Sequence, residues 1–199
     1  QRIIAVSHGL ADATTALGIP AGHLEIIPNG IDLERFQPGP VIREPLVLFV
    51  GSLIERKGLR FLLMAMQHVL QSLPDYHLAI VGSGPQEAEL KQLARSLGIA
   101  EHVKFVGPQS QAQISQWMQR AQLFVLPSLE EAFGVVLLEA LASGTPCVGT
   151  QVGGIPEIIS SEVGCLVPPA NSEALGKALL ALLGAKAHWP QLSQNARRF

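Results

Sequence analysis

From Leu46 onward the chain alternates short apolar runs with longer stretches in which apolar residues recur every third or fourth position. The runs at 46–50, 77–81, 103–106, 122–126, 146–149 and 164–167 predict strands. They show little polar alternation, as expected where helices cover both faces of a parallel sheet. After Lys57-Gly58, residues Leu59, Leu62, Leu63, Met66, Leu70 and Leu73 give a helix one apolar face, and Pro74 closes it. A second helix is expected at 85–97, with Pro85 tolerated in its first turn and Gly98 just past its end. Further helices are expected at 111–120, 133–142 and 172–183. The alternation predicts an α/β fold, a parallel sheet with helices on both faces.

The first 45 residues read differently. Apolar runs at 3–6 and 24–27 bracket a helix beginning near Ser7, and the turn Pro28-Asn29-Gly30 leads to a Pro/Gly stretch at 38–45 with the composition of a linker. The sequence opens without Met, directly in a strand-like run, which reads as a piece of a longer protein.

Composition narrows the function classes. With 199 residues and 48% hydrophobic content, the chain can bury a substantial core. Lys and Arg number 14 against 16 acidic residues, a net charge of -2, so nothing in the bulk charge favours nucleic acid or an anionic membrane. Any anion must be held locally. Cys147 and Cys165 have neither metal-ligand spacing nor the numbers of a disulfide framework; they read as small buried residues of a reducing, cytoplasmic compartment. No apolar stretch approaches the roughly 20 residues that span a bilayer. The acidic residues include only Asp12, Asp32 and Asp75 as aspartates, with no Asp-x-Asp pair to hold magnesium, and the histidines show no metal-ligand spacing.

Candidate chemistry sits in loops that follow predicted strands, where open parallel sheets bind ligands. In Gly51 to Gly58, glycine at the strand end allows close backbone approach and Lys57 offers an ammonium to a phosphate; a solvated loop with a surface lysine explains the segment as well. Gly82-Ser83-Gly84-Pro85 is a tight turn into a helix, read equally as an anion site or a packing turn. The segment Ser128 to Ala140 is the most informative. A helix starting near Phe133 presents free amides, Glu131 lies just before it, and Glu139 falls on its second turn among apolar residues. A carboxylate there needs donors, which two ribose hydroxyls could supply, or a structural place at the helix edge. Gly153-Gly154-Ile155-Pro156-Glu157 is a further glycine turn after a strand.

In order and spacing these segments resemble glycosyltransferase family four, retaining enzymes of the GT-B fold. The likeness runs from Ile3 to Ser7, through Ile27-Pro28-Asn29-Gly30-Ile31-Asp32, the loops above and Val103 to Gly107, to Glu157. It implies the Rossmann-like, C-terminal half of that fold: residues 1–40 ending the N-terminal domain and forming the linker, and 41–199 binding a nucleoside-diphosphate sugar. Lys57 would contact the diphosphate and Glu131 the donor sugar, both as catalytic residues. Glu139 would hold the ribose, and Phe133, Gly134 and Val135 would offer amides to sugar and phosphate. Gly51, Ser52, Arg56 and Gly82 complete the donor site, with Val106 and Gly107 beside the base. The resemblance implies no cofactor or obligatory metal. It implies as partners a nucleotide sugar, an unidentified acceptor and the chain's own N-terminal domain, which alone would meet any membrane; nucleic acid is not among them. Transfer by the 199 residues alone is not expected.

One position departs from the family pattern: Ser52 stands where many members have arginine, with Arg56 as a nearby substitute. It supports an alternative, a catalytically silent nucleotide-binding module of the same fold. An epimerase of similar architecture fits the Asn29-Gly30 turn and the Glu131/Glu139 spacing less well, and a dehydrogenase lacks its three-glycine fingerprint.

Overall fold

The computed structural model describes residues 2–39, 43–184 and 189–198. Strands β1 (Ile3–Ala5) and β2 (Leu24–Ile26) pair in parallel across helix α1 (His8–Ala16). A six-stranded parallel sheet follows, made of β3 (Glu44–Val50), β4 (His77–Val81), β5 (Val103–Gly107), β6 (Ala121–Leu126), β7 (Cys147–Thr150) and β8 (Gly164–Val167). Its spatial order is β5-β4-β3-β6-β7-β8. The chain winds outward from β3 to β5, then returns to the other side of β3 for β6. Between β3 and β6 the connections therefore diverge, leaving a crevice at the strands' carboxyl ends.

Helices α2 (Leu59–Ser72), α3 (Glu87–Ser96) and α7 (Ser172–Gly184) form one layer, with α2 packed on both others. The opposite layer holds α4 (Gln111–Arg120), α5 (Val135–Ala142), α6 (Ile155–Ile158) and α8 (Trp189–Arg198), with α5 touching the other three. The expected α/β architecture is thus the one observed. Phe49, Phe124, Leu48, Leu78 and Ile80 are fully buried between the layers, and Phe36 plugs the pre-sheet segment into the same core.

Several boundaries differ from expectation. β3 starts two residues early, at Glu44, although it contains Pro45. The ladder to β6 shifts register between Glu44 and Val47, an irregularity where a missing amide donor is tolerated. Arg120 also forks onto the Glu44 carboxylate at 2.7 and 2.9 Å, which holds that carboxyl below the usual range. α3 begins at Glu87 because Pro85 and Gln86 remain in the turn. α5 begins at Val135, not near Phe133, after Gly134. α8 was not predicted; it docks by burying Ala196 in the core, through Ser193, whose hydroxyl donates to the Gly144 carbonyl, and through Asn195 onto the Glu162 carbonyl. Of the Pro/Gly stretch at 38–45, residues 40–42 lie outside the described residues.

Both cysteines are free, but only Cys147 is fully buried; Cys165 is half-buried. Val148, not Cys147, is the partner of Cys165, so the two thiols stand on opposite faces of the sheet. No described helix is long and apolar enough to cross a membrane.

Candidate functional site

At the carboxyl ends of β3 and β6 lies a cavity of about 490 Å³. Its floor is the β3 end, Val50 and Gly51, followed by Ser52, Arg56 and Lys57; its wall is Glu131 to Val136 with Glu139 on α5. Val6, Asn29, Gln111 and Ile114 close the sides. Nine of the sequence-derived candidates are thereby brought together, while Gly82, Val106 and Gly107 are not among the lining residues. Gly82 has another duty: a Cβ there would collide with the Gly51 carbonyl, so its bareness lets the first two loops lie against each other. Its amide donates to Gly107 at 2.9 Å, tying in the third.

The first loop is locked to the β6 loop. Gly58 adopts φ +65°, and a side chain there would strike the Pro127 carbonyl. The Arg56 carbonyl meanwhile accepts from the Leu129 amide at 2.7 Å. This places Lys57 against Glu131, Nζ to Oε2 at 2.5 Å, with side chains only 14% and 11% exposed. Ser128, fully buried, donates to the same carboxylate at 3.3 Å, and its carbonyl is held by the Thr150 hydroxyl at 2.6 Å. The ammonium has three donors, so the pair leaves some free for an incoming anion. Ser52 and Arg56 are exposed at the rim.

Glu139 is the electrostatic anomaly. It is half-buried on the otherwise apolar α5, and among the described residues its carboxylate has no hydrogen-bond donor. Burial pushes its pKa above the ordinary carboxylate value, with the Arg35 guanidinium acting the other way. Arg35 is brought near by the segment after β2, whose backbone is pinned to α4 through Ser115 at 2.8 Å. The amides of Phe133, Gly134, Val135 and Val136 likewise meet no acceptor among the described residues. The cavity thus offers a cation, free amide donors and a carboxylate without donors.

Sequence reasoning missed what comes from far away. Val6, Gln111 and Ile114 carry no local signal of a site, and Asn29, read as part of the interdomain turn, was not placed in it. His8, dismissed among the histidines, contacts Glu157 with Nδ1 to Oε2 at 2.8 Å. Burial raises the Glu157 pKa, but hydrogen bonds from His8 and the Gly9 amide outweigh this and hold it below the usual value. Among the described residues, no three metal-ligating side chains cluster.

Residues 30–199 match the family model for glycosyl transferases group 1, and residues 1–35 match that for glycosyltransferase family 4. The chain belongs to the group 1 glycosyl transferases. It is 36% identical over 165 residues to a phosphatidyl-myo-inositol mannosyltransferase of Mycobacterium leprae, covering 79% of this chain and 43% of that protein. It is 34% identical over 199 residues to D-inositol 3-phosphate glycosyltransferase 2 of Catenulispora acidiphila, covering 90% and 47%. Among solved structures, sucrose-phosphate synthase from Thermosynechococcus elongatus superposes with a TM-score of 0.85 at 33% identity, over 98% of this chain and 52% of that one. Anabaena HepE in complex with UDP-glucose gives 0.90 at 27%, over 99% and 58%. This group 1 glycosyl transferase chain thus spans about half the length of the relatives it matches.

Proposed function

We propose that the cavity binds a nucleoside-diphosphate sugar as donor for glycosyl transfer with retained anomeric configuration. The observation that carries the reading is Glu139, a half-buried carboxylate lining the cavity with no hydrogen-bond donor among the described residues. Ribose hydroxyls are donors in the right number, and a buried carboxylate gains most from them. With the ribose at Glu139, the diphosphate reaches the free amides of Phe133, Gly134 and Val135 and the Lys57 ammonium, and the donor sugar meets Glu131. Charge on the departing diphosphate is met by Lys57, Arg56 and these amides, so the reading requires no resident metal or cofactor. Stabilising the leaving group in this way, with donors already in place, is the main catalytic contribution of this half. HepE, a structural neighbour, is complexed with UDP-glucose, which supports the ligand class.

The acceptor and its orientation belong to the segment that the matched relatives have and this chain does not span. A silent nucleotide-binding module is the second reading, favoured by Ser52 at the rim in place of a phosphate-binding arginine. A thermal-shift panel of UDP, GDP, ADP and their sugar conjugates tests the donor site, since a ligand of the folded state raises Tm. One nucleotide is expected to stabilise; none doing so at millimolar concentration overturns the reading. If it binds but the full-length protein transfers nothing, the silent module stands; if transfer occurs, proton NMR of the product's anomeric centre decides on retention.

A further inference from the structure

We propose that Ser7 is a positioning residue for the donor loop, aiming the Phe133 amide into the cavity by holding the carbonyl of Ala132. The proposal rests on the donor-site reading above. Ser7 is fully buried, and its single hydroxyl hydrogen is committed to the Ala132 carbonyl at 2.7 Å across 125 residues of sequence. The same oxygen accepts from the Leu10 amide at 3.0 Å, so the hydroxyl cannot rotate without losing a bond. The Ala132 carbonyl and the Phe133 N–H share one peptide plane, and described peptides are all trans. In a trans unit these two bonds point in opposite directions. Pinning the oxygen toward Ser7 therefore turns the Phe133 N–H away from it, and that amide meets no acceptor in the described protein while its residue lines the cavity.

Ala132 is itself exposed, with a methyl group too small to fix its own peptide. The hold must come from outside the loop, and the packing behind Ser7 supplies it. A Cβ on Gly153 would collide with the Glu131 carbonyl, and one on Gly154 would lie 2.9 Å from the Ala132 oxygen, the Phe133 Cα and the Ser7 Cβ alike. A Cβ on Gly9 would stand 2.5 Å from the Gly153 oxygen. Glu157 closes the stack by accepting the Gly9 amide at 3.1 Å and contacting His8. The start of α1, the 153–157 turn and the donor loop are therefore stacked without slack, and Ser7 is the polar tie between the first and the last.

The test compares wild type, Ser7→Ala and Ser7→Cys, the last filling the space with a weaker donor. Calorimetry with UDP, GDP and ADP, and with the matching nucleosides, should show diphosphate affinity falling about tenfold in Ser7→Ala and less in Ser7→Cys, with nucleoside affinity unchanged. Without ligand, 15N relaxation should show a lower order parameter at the Phe133 amide in Ser7→Ala. A merely structural serine would weaken nucleoside and diphosphate equally or neither, with Phe133 unaltered, and either result overturns the proposal. If wild type binds none of the three diphosphates, the donor-site reading has failed, whereas the relaxation arm still decides whether Ser7 orders Phe133.

Discussion

Replacing Glu139 with glutamine should move stability and binding in opposite directions. Burial raises the carboxyl's pKa in the folded protein, against the opposing pull of Arg35. For an acid shifted this way, stability is fully present below the unfolded pKa and is lost as pH rises through the folded value. The Glu139 contribution to wild-type stability is therefore lost from about its ordinary value of 4.5 upward, which is read as the difference between wild type and variant. Glu139→Gln never ionises, so its Tm should exceed that of wild type near pH 7 and match it near pH 3.5, as a circular-dichroism pH series would show. Nucleotide affinity should go the other way, because a charged acceptor of two hydroxyl bonds becomes an amide with one acceptor oxygen. Bonds to a charged group contribute about 1.5–3 kcal/mol against about 1 kcal/mol for neutral ones, so the loss is tenfold or more, on the order of 1.4 kcal/mol at least. Equal affinity by calorimetry, with an unchanged pH slope, would return Glu139 to a structural place on the helix edge. A lower Tm at neutral pH would refute the desolvation argument itself.

The Lys57–Glu131 pair supports a double-mutant cycle read by urea unfolding: Lys57→Met strands a mostly buried carboxylate and should cost about 3–5 kcal/mol, while Lys57→Met/Glu131→Gln should recover much of it. A coupling below about 0.5 kcal/mol would show the two groups to be independently solvated. Ser52→Arg should tighten diphosphate binding, with a gain that shrinks as salt is added, because an exposed rim guanidinium acts partly through screened charge. An affinity that stays flat or falls, measured by calorimetry, means Arg56 already fills that place, and Arg56→Ala should then lose the preference for diphosphate over monophosphate.

The main sheet was legible because its inner strands β4, β3, β6 and β7 are buried on both faces and so stand out as apolar runs, and the α2 face because Leu59, Leu62, Leu63 and Met66 all enter the core. Helix starts were less so: both α3 and α5 begin two residues late, where a proline turn and Gly134 delay the first helical residue. α8 was missed: it buries the small Ala196 in the core and completes its docking with hydrogen bonds from Ser193 and Asn195 to carbonyls dozens of positions away. At the cavity, Lys57, Glu131 and Glu139 could be picked out as charges next to apolar runs. The roles of Ser7, Arg35 and Glu157 could not, because each acts on a residue more than a hundred positions away.

The glycine-to-carbonyl contacts at Gly58, Gly82 and Gly153 have a consequence for redesign. Each strand-end loop is seated on the backbone of a neighbour, not on its side chains, so lengthening or exchanging one would displace the next. Transplanting a single loop from a relative to alter donor preference should therefore disturb the fold before it changes selectivity. Side-chain exchange at the open rim, at Ser52, Arg56 or Gln111, alters the ligand's surroundings while leaving that backbone interlock in place.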